Sequence, residues 1–400
     1  MTPRPTADPT IGERIRVRRL LRGWSIRYAA SRAGLSHATW SRIERGLQAA
    51  DNRFTLAGIA AALECAPDEL AGGPTPAADR AAATALAGMR SIRQALVDID
   101  LAEPGLTTAP PIGELATTVE LVGTLMDACD YAGAARLLPG LLRDLHAETA
   151  GPERQRALRL LCDATFNASS LLRSLGHPAE AWLGAERCRD AAEAAGDPVL
   201  QGYAAYSMAS AANVCGSFQR GLTLAERAAD DLRRHLGRPG AAETFGALHL
   251  VSGYASQGRD RVDDARGWLT EAGTLARRTG ETTTLGLYFG PTNVDLWRIS
   301  IEVDEGDPGR AAEIARHTNP AMIAAGLRQV FYYVDTARAL AMVGGKDRTA
   351  IRFLLTAERL APQHVHTSAD ALSAVRTLLE RSRRQTGGSE LRGLGERMLN

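Results

Sequence analysis

The sequence predicts an all-α protein in two parts, a small basic helical head followed by a long array of paired helices. Three observations predict it. Beyond Glu114 the chain is rich in Ala, Leu, Arg and Glu and is punctuated by Gly-Asp-Pro and similar stops. No segment alternates apolar and polar residues with period two for long enough to make a strand. Glycine-centred turns recur at a near-constant interval through the second half of the chain.

The head comes first. Its 70 residues hold eleven arginines against seven acids, and between Ile11 and Arg53 ten arginines face only Glu13, Glu44 and Asp51. The whole chain, with 47 basic and 46 acidic residues over 400 positions, is close to neutral. That balance excludes a uniformly basic nucleic-acid coat and an acidic tail protein, and it makes the basic segment a local feature. A short basic module on a neutral chain is the footprint of nucleic-acid binding; one solvated helix face would look the same. Ile11, Ile15, Leu20 and Leu21 give a first amphipathic helix, stopped at Gly23. Ser25 caps a second helix through Tyr28, Ala29, Ala30 and Ala33, and Gly34 ends it. Ser36 caps a third, His37 to Glu44, closed by Arg45-Gly46. A fourth runs from Ala57 to Leu63 and a short fifth from Pro67 to Leu70.

Residues 1–10 read as an arm, 11–71 as the head domain and 72–113 as a linker carrying one helix, Ala77 to Asp100. The linker character comes from Gly72-Gly73-Pro74-Thr75-Pro76 and from Glu103 to Gly113. Residues 114–385 are the helical array, expected to sense a ligand and to dimerise, and 386–400 a tail or capping helix.

The array repeats itself. Gly176 before Ala185-Glu186-Arg187, and Gly216 before Ala225-Glu226-Arg227, are the same pattern displaced by 40 residues. The turn glycines Gly176, Gly216, Gly258, Gly306 and Gly345 follow one another at 39 to 48 residues. Each marks a helix, a turn and a second helix opening on a small residue. The pattern resembles the tetratricopeptide family, stretched from its usual length of about 34 residues and lacking most of its aromatics. That resemblance implies five or six helix pairs stacked into an α-solenoid with a concave inner wall. The first helices are unusually uncharged and carry Tyr, Ser, Asn and Trp, and in the family the first helix lines the groove. Asn167, Tyr206, Asn213, Tyr254, Asn293, Trp297 and Tyr332 are the candidates to bind a peptide or small-molecule effector, since amides pair with peptide backbone and flat rings give apolar contact. The same residues also fit an ordinary inter-repeat core.

Residues 25–46, SIRYAASRAGLSHATWSRIERG, resemble the Cro/C1 (XRE) family of helix-turn-helix regulators. The resemblance covers about 60 residues and implies a five-helix, lambda-repressor-like domain. Ala29 and Trp40 depart from the family's usual Leu and Ile or Val. By the family pattern His37, Ala38, Ser41 and Arg42 face bases, Arg42 being suited to guanine O6 and N7. Ser25, Arg27, Ser36, Thr39 and Arg45 are the implied phosphate contacts. Arg14, Arg18 and Arg22 either add diffuse attraction or form a solvated face. The full chain is also similar, on looser motifs, to bacterial regulators that join such a head to a tetratricopeptide-like body.

Other chemistries lack their residues. No G-x-x-x-x-G-K-[ST] phosphate loop and no G-x-S-x-G elbow occurs, so no enzyme and no cofactor is expected. His364 and His366 sit in an expected loop without a third metal ligand. Five cysteines without a CxxC pair argue against a disulfide framework or a zinc ribbon. The N-terminal MTPRPTADPT has no apolar core, and the longest uncharged stretch, Pro198 to Gln219, is too polar for a bilayer, so a cytoplasmic protein without a membrane partner is expected. The functional expectation is a homodimeric regulator that binds double-stranded DNA and answers an effector. A protein-interaction scaffold with a DNA-tethering head is the other reading.

Overall fold

The computed structural model describes residues 10–50, 53–63, 65, 70, 80–103, 109–382 and 389–399. The chain divides into two compact units, 1–75 and 76–400. Every regular element among the described residues is helical. The arm at 1–9, most of the expected fifth head helix and the Gly72–Pro76 stretch lie outside them.

The head is built from α1 (Ile11–Leu21), α2 (Ile26–Arg32), α3 (His37–Glu44) and α4 (Arg53–Ala62). Side chains start three of them. Thr10 and Glu13 form a capping box, with Thr10 Oγ1 accepting from the Glu13 amide at 3.2 Å and Glu13 Oε2 from the Thr10 amide at 2.6 Å. Ser25 accepts from the Tyr28 amide and Ser36 from the Thr39 amide, at 3.1 and 3.0 Å. Between α2 and α3, Gly34 takes a left-handed φ of 67° that a side chain would resist. Ile15, Ala29, Ala30, Trp40, Ile43, Leu56, Ile59 and Leu63 form one core, joined by Leu70.

A buried ion pair locks α3 into that core. Arg19 on α1 donates to both carboxylate oxygens of Glu44, at 2.6 and 2.9 Å, and to the Trp24 carbonyl at 2.7 Å. The Trp40 indole N–H, fully buried, donates to Glu44 Oε1 at 2.6 Å. Arg19 and Glu44 are each only 7% exposed. The Glu44 hydrogen bond raises the Arg19 pKa further, so the guanidinium stays charged. Gly12 completes the junction, because a Cβ there would stand 2.4 Å from the Ile43 carbonyl oxygen.

The body begins at α5 (Arg80–Asp98). The sequence places this helix in a linker; the structure places it in the body. Met89, Ile92, Leu96 and Ile99 enter the body's core, Arg93 pairs with Glu180 at 2.6 Å, and Arg187 donates to the Leu96 carbonyl at 2.8 Å. Six helix pairs follow: α6 (Ile112–Asp127) with α7 (Tyr131–Glu148), α8 (Arg154–Ser174) with α9 (Pro178–Ala195), α10 (Pro198–Val214) with α11 (Phe218–Leu232), α12 (Ala241–Gln257) with α13 (Val262–Thr279), α14 (Pro291–Asp304) with α15 (Pro308–His317), and α16 (Gly326–Val343) with α17 (Asp347–Leu360). The first helices of successive pairs pack on one another as an inner layer, and the second helices lie outside them. Gly184 on α9 lets the two layers meet closely, 3.0 Å separating its Cβ position from the Ser169 backbone of α8.

The turn glycines Gly176, Gly216 and Gly306 have φ near 80° as the repeat grammar requires, whereas at the third turn Asp260 takes the left-handed place and Gly258 stays helical. His364 and His366 fall on a short helix, α18 (Pro362–Thr367), and not on a loop. They face different partners, the Ser174 carbonyl and Glu358 Oε1. After α19 (Ala369–Ser382), α20 (Ser389–Leu399) buries Leu391, Leu394 and Met398 and clamps Glu358 through Arg397, closing the array as a capping helix.

Removing one partner from a buried pair strands the other charge, at a cost of about 3–5 kcal/mol, which is most of what a core of this size supplies. Arg19→Ala is therefore expected to abolish hydrogen-exchange protection of α1–α3 in the full chain. Substituting the exposed Arg16 with Ala should leave protection within about 0.5 kcal/mol of wild type.

Candidate nucleic-acid interface and the inner face of the array

The network behind α3 decides which of its residues face outward. Trp40, Ile43 and Glu44 are buried; His37, Ala38, Arg42 and Arg45 are exposed, and Thr39 and Ser41 lie at the margin. The only acid of α3 is turned inward and neutralised, so the outer face carries positive charge alone. Arg42 has no ion-pair partner among the described residues. Arg45 Nε donates to the Ser41 carbonyl at 3.1 Å, which steadies the exposed side chain.

Two capped helix starts flank this face. Ser25 and Arg27 are exposed at the start of α2, and at that of α3 Ser36 is exposed and Thr39 partly so. A cap hydroxyl accepts with a lone pair and keeps its own O–H to donate. The Ser36 and Thr39 hydroxyls bond one another at 2.8 Å, so one of the two protons stays available. Free amides at helix starts add a partial positive charge. All nine head residues singled out by sequence are exposed or partly exposed, on α2 and α3 or at their ends. Of the three arginines left open there, Arg14 donates to the Leu70 carbonyl at 2.7 Å and so ties the head together.

Sequence reasoning missed Arg19–Glu44. The signal was present, since a glutamate in a helix meant to approach phosphate is unfavourable unless a cation inside the fold holds it.

In the body, the inner layer brings together four of the seven candidates. Phe166 on α8 stacks on Tyr203 and Tyr206 of α10, with ring centroids 4.1 and 6.3 Å away. Arg328 on α16 donates to Tyr206 Oη at 3.0 Å and lies over the Trp297 ring at 5.9 Å. Tyr254 meets Trp297 edge-on at 5.9 Å. Asn167 shares the α8 face with Phe166 and donates to the Asp163 carbonyl at 3.0 Å. The array curls far enough to enclose this face: α16 packs on α6, Tyr288 donates to the Asp127 carboxylate, and His364 reaches the Ser174 carbonyl at 3.3 Å.

The other three turn away from this cluster into the core, and Tyr206, though within the cluster, is itself only 3% exposed and part of the core. Asn213, 3% exposed, points its amide at the Val251 carbonyl across 3.4 Å, in space left by Gly221. Asn293, 1% exposed, donates to the Leu287 and Tyr288 carbonyls and holds the bend before α14. Tyr332 donates to the Ala315 carbonyl at 2.9 Å and packs on Tyr333 and Phe353. Counting from a turn glycine gives height along a helix but not the direction of a side chain, and these three lie on the wrong side. Two residues of the inner face that sequence reasoning passed over are Arg173 and Arg328, isolated charges on otherwise uncharged stretches.

Residues 10–71 match the family described as a helix-turn-helix domain, so the head is such a domain. Among solved structures, that of Bacillus thuringiensis PlcR in complex with the peptide PapR7 and DNA is similar over 68% of this chain and 96% of that one, at 16% identity and a TM-score of 0.32. No curated protein matches the sequence. Among the described residues no helix is long and apolar enough to cross a membrane, and no group of three or more His, Cys, Asp or Glu side chains is placed to hold a metal ion.

Asp163 gives a pH signature. Burial on the inner face pushes its carboxyl up to about 7. A carboxyl raised on folding favours the folded state below its unfolded pKa, near 4, and that contribution is lost as pH rises to about 7. The full shift corresponds to at most about 4 kcal/mol. Asp163→Asn is expected to raise the melting temperature above neutral pH and to change it little below about pH 4. An equal fall at both pH values would contradict this.

Proposed function

We propose that the protein is a transcriptional regulator that binds double-stranded DNA sequence-specifically through α3, as a homodimer, under the control of an effector held by the helical array. The observation that carries this reading is the outer face of α3 within a helix-turn-helix domain. It offers His37, Ala38, Ser41 and Arg42 on a rigid helix whose one acid is engaged inside. A helix of this width fits the major groove, where guanine presents O6 and N7 to a guanidinium fork. Ser25, Arg27, Ser36, Thr39 and Arg45 surround it as phosphate contacts that fix register.

Dimerisation follows from site size. One such head spans about half a site, and two heads one helical turn apart give an operator its two-fold symmetry. The enclosed aromatic inner face, with Tyr206, Tyr254 and Trp297 beside Asn167, supports an effector pocket for a peptide or small molecule.

Arg42→Ala is expected to cost about 1–3 kcal/mol on the preferred duplex and to relax preference at one base pair. Arg45→Ala should weaken binding to all duplexes alike and lower the slope of log affinity against log salt by about 1. Fluorescence anisotropy across a salt series measures both, and light scattering gives the assembly state. Equal loss at every base pair in the Arg42 variant would return that residue to phosphate binding.

A further inference from the structure

The body closes several of its arginines, buried or partly exposed, onto carboxylates. Arg338 reaches Asp304 at 2.7 Å and Asp335 at 3.0 Å; Arg266 reaches Glu302 at 2.7 Å, and Arg187 reaches Asp190 at 3.0 Å. Arg173 and Arg328 do otherwise. Both are largely enclosed on the inner face, yet Arg173 has only Ser170 Oγ at 3.4 Å, while Arg328 has the Tyr206 hydroxyl and the Trp297 ring. Neither forms a salt bridge among the described residues.

Their charges act on the same space. Burial alone would raise the Tyr206 pKa, but Arg328 and Arg173 together bring it below the usual phenol range. His364 is held below the usual imidazole range, first by burial and then by Arg173, against the pull of the Ser174 carbonyl. Burial lowers the Arg173 pKa itself, and Arg328 adds to the effect. The nearby acids are engaged elsewhere or stand away. Asp127 accepts from Tyr288, and Asp370 is paired with Arg338. Asp163 lies ten residues from Arg173 along α8, about 15 Å.

Two partly buried guanidinium groups with no carboxylate partner among the described residues are unfavourable as they stand. An anion bound by both would offset that cost. Guanidinium forks match the planar oxygens of a carboxylate. The walls are flat and apolar: Phe166 stacked on Tyr203 and Tyr206, and Tyr254 against Trp297. Such walls suit the body of a ligand whose charge sits at one end.

We propose that Arg173 and Arg328 form an anion subsite on the inner face of the array, which takes the carboxylate of a ligand with an apolar or aromatic body. As the effector class of the protein, this rests on the regulator reading above; as a binding site, it is tested alone.

Full-length protein is titrated, without DNA, with 3-phenylpropionate and its amide, and with an apolar tetrapeptide bearing a free C-terminal carboxylate and the same peptide amidated. Calorimetry and tryptophan emission read the binding. At least one acid is expected to bind saturably, about tenfold or more tighter than its amide, and the pair that shows the difference identifies a small acid or a peptide terminus as the source. Arg173→Gln and Arg328→Gln should each remove that preference for acid over amide. Without ligand, Arg173→Gln should melt no lower than wild type, because it deletes an unbalanced charge. Should Arg328→Gln fail to fold, Arg328→Lys keeps the charge but loses the fork, and weaker acid binding is again expected. Acids that bind no better than their amides, variants that keep the preference, or a lower melting temperature for Arg173→Gln would overturn the proposal. DNA affinity measured in parallel, without ligand, tests the regulator reading separately.

Discussion

A helix can offer one face to a ligand only if its other face is held, and in the head that task falls to the Arg19–Glu44 pair. Glu44 takes both a guanidinium and the Trp40 indole N–H, so one carboxylate fixes α3 against α1 and orients the large side chain at the centre of the core. The same contact removes the only negative charge that α3 would otherwise show to a polyanion. Stability and surface charge here come from one interaction. It also explains why Trp40 suits this position, since neither Ile nor Val could donate a hydrogen bond to Glu44.

The body solves a different problem with the same ingredients. A helix pair cannot bury its apolar face alone, so pairs stack, and the inner layer of first helices becomes a wall. Because the array turns far enough for α16 to meet α6 and for α18 to meet α8, that wall is covered by the chain's own later helices. Groups placed there lose water. Asp163 responds by holding its proton more tightly, and Arg173 by holding its own less tightly. Buried polar groups elsewhere in the body, such as Asn293, meet partners from their own chain. The inner arginines stand out because their partners are neutral and neither forms a salt bridge among the described residues.

The fold class and the bounds of α3 were legible in sequence, because caps and turn glycines are local signals: Ser25, Ser36 and Gly34 do in the structure what their neighbours imply. The repeat was legible for the same reason, through Gly176, Gly216 and Gly306. What sequence could not supply was direction in space. Asn213 and Asn293 carry the right chemistry at the right height but face the core, and Arg173 becomes notable only when Arg328, 155 residues later, comes to act on the same phenol. Likewise α5 follows a Pro-rich stretch and reads as linker, yet its apolar face at Met89, Ile92 and Leu96 finds the body's core.

The central claim is that α3 reads the major groove. Guanine N7 lies in that groove, and adenine N3 in the minor groove. The direct measurement is methylation interference with full-length protein on a duplex enriched by selection from random sequence. Methylation of particular guanines at N7 should block binding, with the blocked positions repeating in two half-sites, and methylation at adenine N3 across the same base pairs should be tolerated. Binding indifferent to N7 methylation, or a selection that enriches no sequence, would contradict the account.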